Sequence, residues 1–351
     1  MLAVAVLAVG AVVVLARDGD APSLSPPSRA CTRFASPHGD DDASGTGLRP
    51  FETAQRLVSS LRPGQTGCLR AGTYSSSGDL VVRFDRGGRS GAPITLRSHP
   101  GERATLEGII EVSEGASHVR LASLDIEGTG EANTVKIYAA DVIVEDSDIT
   151  NDGRGNSCMI LGSGSGPGEA VRPIVRRNRF HDCGSEENEN KDHGIYAQNV
   201  VEGEIVDNVF WNSAAYAIQL YPNARRTRFA HNVVDGDEPS VRGGVLFGGD
   251  FDYASSDNVV ERNVIAYART YNITSTWDEA KGNGNVARFN CVWGGEEGNV
   301  NTGEGGFTAS ANTVADPLFV DREERDYRLG ADSACRKVVG YDTAARIGRA
   351  T

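Results

Sequence analysis

Residues 175–180 read VRRNRF, 205–210 IVDNVF, 229–234 FAHNVV, 260–265 VERNVI and 287–292 ARFNCV. One phrase, apolar-x-x-Asn-x-apolar, underlies all five, anchored on Asn178, Asn208, Asn232, Asn263 and Asn290. Two earlier segments, LASLDI at 121–126 and VEDSDI at 144–149, fit the frame with Leu124 and Ser147 in the Asn slot. Successive anchors lie 23, 31, 30, 24, 31 and 27 residues apart, so a unit of variable length repeats along the chain. Three residues before the anchor stand Leu121, Val144, Val175, Ile205, Phe229, Val260 and Ala287; two after it stand Ile126, Ile149, Phe180, Phe210, Val234, Ile265 and Val292. These columns are five apart, an odd number, so an unbroken strand would send them to opposite faces. Both reach one core only if the chain bends at or near the Asn. Asn tolerates the left-handed conformation a bend needs, and its amide can bond the coils above and below.

A second strand follows in each unit: CMIL, GIYA, AIQL, GVLF and NITS. Short strands, bends and no helical period describe an all-β, right-handed parallel β-helix. At roughly 24 residues per coil, residues 68–320 supply about ten coils and a rod near 50 Å long. A β-propeller, the alternative, has regular blades of about 40–45 residues, longer and more even than these units. Phe51, Ala54, Leu57, Val58 and Leu61 share one face of a helix predicted between Pro50 and Gly64, placed to cap the first coil. At the far end ADPLFVDREERDYRLGADSAC reads as a closing strand pair stapled by Cys335.

The remaining composition bounds the environment. Residues 2–16 (LAVAVLAVGAVVVLA) form an uncharged apolar run, short for a bilayer span, which reads as an export signal or, alternatively, an N-terminal anchor. The organisation predicted is therefore signal or anchor over 1–16, a Pro/Ser-rich tether over 17–30, the β-helix over 31–340 and a tail over 341–351. The folded part is expected outside the cell, with the membrane touched only through the anchor, and as a monomer. Six cysteines with no CxxC spacing suit an oxidising compartment rather than a zinc site. Of the fifteen connectivities open to six cysteines, that of sequence neighbours is preferred: Cys31–Cys68, Cys158–Cys183 and Cys291–Cys335. With 48 acidic against 35 basic residues the formal net charge is −13, which disfavours nucleic acid as a partner.

The entry segment SPHGDDDASGTGLRPFETAQRLVSSLRPGQTGCLRAGTY, then APITLRSHPGERATLEG, the Asn-anchored coils and the closing ADPLFVDREERDYRL together resemble the pectate-lyase-like parallel β-helix superfamily over about residues 31–340. The resemblance implies this fold and a polysaccharide ligand; within the superfamily the activity ranges over lyases, hydrolases, epimerases and proteins without a known reaction. Neither the triple-Asp set of the hydrolases nor the Asp-Pro-His of the epimerases is present.

The residues point to one face. In ENENKDHGIYAQ, YAIQLYPNA and GGVLFGGDFDY, inward Ile195, Ala197, Ile218 and Leu220 turn Tyr196, Gln198, Gln219 and Tyr221 outward on adjacent coils. Tyrosine rings to stack on sugars and Gln198 and Gln219 amides to bond hydroxyls would bind a glycan. Lys191, Asp192 and His193 enter one rim; Asp250 and Asp252 lie further on. Elimination from a uronate needs the carboxylate neutralised by Ca²⁺, Arg or an amide, a base, and an acid for the leaving oxygen. His193 or Lys191 is the candidate base and Tyr196 or Tyr221 the candidate acid. Hydrolysis would instead use the Asp192–Asp250 pair. Calcium is the one cofactor considered, with Glu186, Glu187 and Glu189 as an acidic loop, and no resident metal is assigned. Asp40-Asp41-Asp42 reads as a turn. The column Asp146, Arg177, Asp207, His231, Arg262 reads as a structural ion ladder.

Overall fold

The computed structural model describes residues 30–164, 168–188, 191–236 and 242–339. The segments read as signal or anchor and as tail, and all of the tether but its last residue, lie outside the described residues. Three parallel sheets run the length of the molecule. Each coil passes through sheet A before the anchor, sheet B after it, and then sheet C. Nine coils carry a strand in all three sheets, from Thr66–Leu69, Gly72–Tyr74 and Leu80–Phe84 to Asn285–Arg288, Cys291–Trp293 and Gly298–Val300. About ten were expected. Anchored phrases therefore straddle the corner between sheets A and B, and the CMIL-type segments form sheet C.

Both apolar columns face the axis: all fourteen side chains are at most 1% exposed. The bend is one residue earlier than the sequence suggested. The left-handed position is the residue before the anchor, with φ of 53° at Asp146, 55° at Arg177, 60° at Asp207, 58° at His231 and 55° at Arg262. The reason is geometric. The anchor side chain must point inward to bridge coils, so the costly backbone angle falls on its exposed or half-buried neighbour. Each Asn Oδ1 accepts from the preceding rung, and each Nδ2 donates to a sheet A carbonyl one coil back, as Asn232 does to Ile205 at 2.9 Å. The ladder runs on to Asn312, which accepts from Asn290 Nδ2 at 2.9 Å. A shorter ladder, Thr227, Asn258 and Asn285, marks the corner from sheet C to sheet A.

The expected helix is α1 (Ala54–Ser60). Thr53 caps it, accepting from Arg56 N–H, and the Asp41 carboxylate holds Thr53 through both its N–H and its hydroxyl. Leu57 and Leu61 press so close to Gly67 that a Cβ there would lie 3.0 Å from each. Gln55 bonds the N–H and C=O of Arg83, satisfying the outer edge of Leu80–Phe84 as a further strand would. At the other end the strand pair Phe319–Asp321 and Asp326–Leu329 and helix α2 (Cys335–Val339) are present. They do not close the last coil. They lie along the flank of sheet B, where Tyr327, Leu329, Cys335 and Val339 bury Val209, Trp211, Val233 and Val264. Asp235 anchors this strap, accepting from Arg322 at 2.8 and 3.0 Å and from the Tyr327 hydroxyl at 2.9 Å. All three disulfides join sequence neighbours, as preferred from the sequence.

Candidate functional site

Sheet C presents one outward row in register across six coils: Lys136, Ile160, Tyr196, Gln219, Leu246 and Thr274. Ile195, Ala197, Ile218 and Leu220 are fully buried beneath it, so the alternation predicted for this face is realised. The four middle members, Ile160, Tyr196, Gln219 and Leu246, floor a groove of about 650 Å³ running along the rod. The rim that precedes the strands carries Asn133, Asn156, Lys191, Tyr216 and Arg242 on five successive coils. The rim that follows them carries Gln198, Tyr221, Gly249, Thr276 and Asp278. One rim is thus cationic at two positions and the other acidic. Gly248 is required for the second: a Cβ there would meet the Tyr221 ring at 2.6 Å.

Of the residues singled out from sequence, Lys191, Tyr196, Gln198, Gln219 and Tyr221 line the groove together. Burial first, then Tyr221 and Asp250, push the Tyr196 pKa up to about 12, and Gln198 Nε2 donates to its hydroxyl at 3.5 Å. Burial first, then Asp278 and Asp250, also raise Tyr221. Both phenols are protonated at neutral pH, as a proton donor must be. Asp250 stands outside the lining; its Oδ1 accepts from Asp252 and Tyr253 N–H at 3.0 and 2.8 Å and forms a turn.

Asp192 and His193 do not enter the rim as expected. Both are fully buried. Asp192 Oδ2 accepts from Ser185 N–H at 2.8 Å and Asn188 Nδ2 at 3.2 Å, closing its own loop, while burial raises its pKa. It does not face Asp250, so the hydrolytic pair is not assembled. His193 packs beneath the floor, its ring edge-on to Tyr196 with centroids 5.4 Å apart. Its Nδ1 accepts from Tyr216 N–H at 3.3 Å, which places the proton on Nε2. Burial drives the His193 pKa down to about 3, opposed by the Gln219 side chain, and Nε2 has no hydrogen-bond partner among the described residues.

Sequence reasoning missed Tyr216, Arg242, Asp278 and the two asparagines of the rim. Tyr216 stands two residues before Ile218 and was legible by aligning strand entries; Arg242 and Asp278 lie in connections whose lengths differ between coils. For calcium, Glu187 borders a separate hollow with Asp152 and Asp182, and the Glu186 side chain and Glu189 fall outside what is described. Among the described residues no three His, Cys, Asp or Glu side chains converge as a metal site. The expected ion ladder is seen at Arg177, which bonds Asp146 at 2.7 and 2.8 Å.

Fold and groove define a parallel β-helix protein of the pectate-lyase-like type. Within that class the chain belongs to the disaggregatase-related family, whose model matches residues 141–343. Over 86 residues it is 34% identical to pectate lyase PEL9 of Emericella nidulans, a match covering 24% of this chain. The matched region is 20% of that protein, so the chain spans about a fifth of the curated relative's length. Among solved structures it is similar to pectate lyase Pel9A, with TM-score 0.60 and 14% identity over 87% of this chain and 91% of that one. A rhamnogalacturonan lyase gives 0.59 and 15% over 84% and 92%. At such identities these structures speak for the fold alone.

Proposed function

We propose that this chain is exported and, as a monomer, binds an extracellular acidic polysaccharide lengthwise in the sheet C groove. The observation that carries the reading is the opposition of rims: Lys191 and Arg242 on one side, Tyr221 and Asp278 on the other, over a floor holding Tyr196 and Gln219. Cations recognise carboxylates, tyrosine rings stack on sugar faces, and amides bond hydroxyls. The apolar run at 2–16 and the three disulfides support an oxidising, extracellular setting. The sequence relation to a pectate lyase supports a uronate-bearing ligand.

A second reading, cleavage by elimination, is favoured by the neutral phenol of Tyr196 on the floor. A base takes the proton on the carbon beside the carboxylate and that electron pair forms the double bond. The bond to the glycosidic oxygen breaks, and Tyr196 gives its proton to the departing oxygen. Lys191 is the base in this reading, because buried His193 cannot reach a substrate. The deciding experiment incubates the purified chain with polyuronates and neutral polysaccharides, with and without chelator, measuring heat of binding and absorbance near 235 nm. Binding without absorbance makes it a binding protein; rising absorbance makes it a lyase; neither result with any polysaccharide removes the reading.

A further inference from the structure

We propose that the turn at 250–253, just beyond the groove rim, is a second sugar site that holds a neutral side branch of the bound polysaccharide. This rests on the polysaccharide reading above and adds that the ligand is branched. Phe251, 66% exposed, and Tyr253, 51% exposed, are the most exposed of the described Phe, Tyr and Trp residues, and they stand two positions apart. The turn that carries them is cross-braced. Asp250 Oδ1 accepts from Asp252 and Tyr253 N–H, Asp250 N–H donates to Tyr253 C=O at 2.8 Å, and Gly249 and Ala254 bridge across the base. A neighbouring turn holds it from the side: Asp278 N–H donates to Gly249 C=O at 3.2 Å and Ala280 N–H to Asp250 C=O at 3.1 Å. Rings presented on a braced turn lose little freedom when a ligand covers them.

Turn and groove are continuous. Gly249 lines the groove between Tyr221 on the coil before and Asp278 on the coil after, and the turn springs directly from it. Asp250 is near enough that, after burial, its charge helps raise the Tyr196 and Tyr221 phenols. Phe251 and Tyr253 themselves are not among the groove-lining residues. A main chain running along the rod therefore passes Gly249 without covering the rings, and a group leaving that chain sideways over the rim covers them. Charge identifies the group. Asp250, Asp252, Asp278 and Glu279 stand in the two turns against one cation, Lys281. A uronate would meet like charge there, whereas a neutral sugar offers a C–H face to the rings and hydroxyls to the carboxylates. A second copy of the chain would bring its own net charge of −13 to this acidic spot.

The test compares branched polymers with the same polymers after enzymatic debranching, titrated calorimetrically against the whole chain at fixed ionic strength. The probes are xylogalacturonan, whose branches are single xyloses, and galactan-branched rhamnogalacturonan. At least one is expected to bind about five- to tenfold more tightly than its own debranched backbone. The double variant Phe251→Ala, Tyr253→Ala should bring the two affinities together, with binding of the debranched backbone and the melting temperature unchanged. Equal affinity for branched and debranched polymer in the parent overturns the branch site and leaves the polysaccharide reading standing. A preference that survives in the double variant does the same. A dimer seen by sedimentation velocity in the parent and lost in the double variant assigns the rings to a second copy, which also overturns the site. Binding of no polymer removes both readings.

Discussion

Asn208 Oδ1 accepts two hydrogen bonds from Asn178, from its backbone N–H at 2.9 Å and from its Nδ2 at 3.0 Å. Asn208 Nδ2 in turn donates to Val175 C=O at 2.9 Å and to Asn232 Oδ1 at 3.1 Å. One fully buried side chain thus ties three coils together, and the same bonds recur at Asn232, Asn263 and Asn290. Identical side chains stacked at a strand spacing make the corner self-consistent, which is why non-glycine residues hold φ > 0 beside it.

Asn208→Ala should therefore cost more than a lost methyl-sized contact. It strands the Asn178 N–H and the Val175 carbonyl in a fully buried site, at about 1–3 kcal/mol for each unsatisfied group. A total loss of about 2–4 kcal/mol is expected in urea unfolding followed by circular dichroism. Asn208→Ser should fall between, since Ser147 occupies the same slot and its hydroxyl accepts Leu124 N–H at 3.2 Å. A loss under about 1 kcal/mol for the alanine variant would show that the ladder is ornamental to stability.

His181 gives the fold a limit at high pH. Its ring stacks on Trp211 at 4.5 Å and bonds Asp182 through Nδ1 and Asp148 through Nε2, each at 2.6 Å. Burial alone would lower its pKa, but the two carboxylates overcome that and hold it at about 9. Because the folded value lies above the unfolded 6.5, the stabilisation is fully present below pH 6.5 and is lost as pH rises through about 9. It is worth at most about 3 kcal/mol. His181→Gln should be destabilised at pH 6 and approach the parent near pH 10 in thermal melts. A parallel offset at both pH values would mean that the ring packs but does not titrate.

His193 acts with the opposite sign. Its folded pKa of about 3 lies below the unfolded value, so the neutral ring's contribution is present above pH 6.5 and lost as pH falls toward 3. Protonation would also cost the bond from Tyr216 N–H to Nδ1. His193→Phe should lower stability at pH 7 yet flatten the decline between pH 6 and pH 4, measured as Tm against pH. An equally steep acid limb in the variant would assign acid sensitivity to other groups.

The contrast between these two histidines measures what the sequence could say. The repeat, the strand faces and the disulfide partners follow from local periodicity, and Tyr196, Gln198, Gln219 and Tyr221 fall on the groove because alternation is a property of the strand itself. His193 lies outside that logic. It stands just before the strand, where the chain turns the corner, and whether such a residue points out or in depends on the connection, not on a period of two. Arg242 and Asp278 were hidden for the same reason: they reach the groove from loops of unequal length. The strap was legible as a strand pair, but its place on the flank of sheet B depends on Tyr327 and Arg322 finding Asp235, about 90 residues earlier, a long-range match that no local pattern encodes.

At the groove, two tyrosines separate binding from chemistry. Tyr221 is half-buried on the rim with its ring against Gly248, so Tyr221→Ala removes a stacking surface without opening the core. Affinity for an acidic oligosaccharide should fall about tenfold, roughly 1.4 kcal/mol, with Tm nearly unchanged. Tyr196→Phe keeps the ring and deletes only the hydroxyl that Gln198 bonds, so affinity should change by less than about threefold. If the chain eliminates, the same variant should lose most of its kcat at 235 nm, because no proton reaches the leaving oxygen while KM holds. Unchanged turnover in Tyr196→Phe would move the acid role to Tyr221, and unchanged binding in Tyr221→Ala would move the ligand off this face.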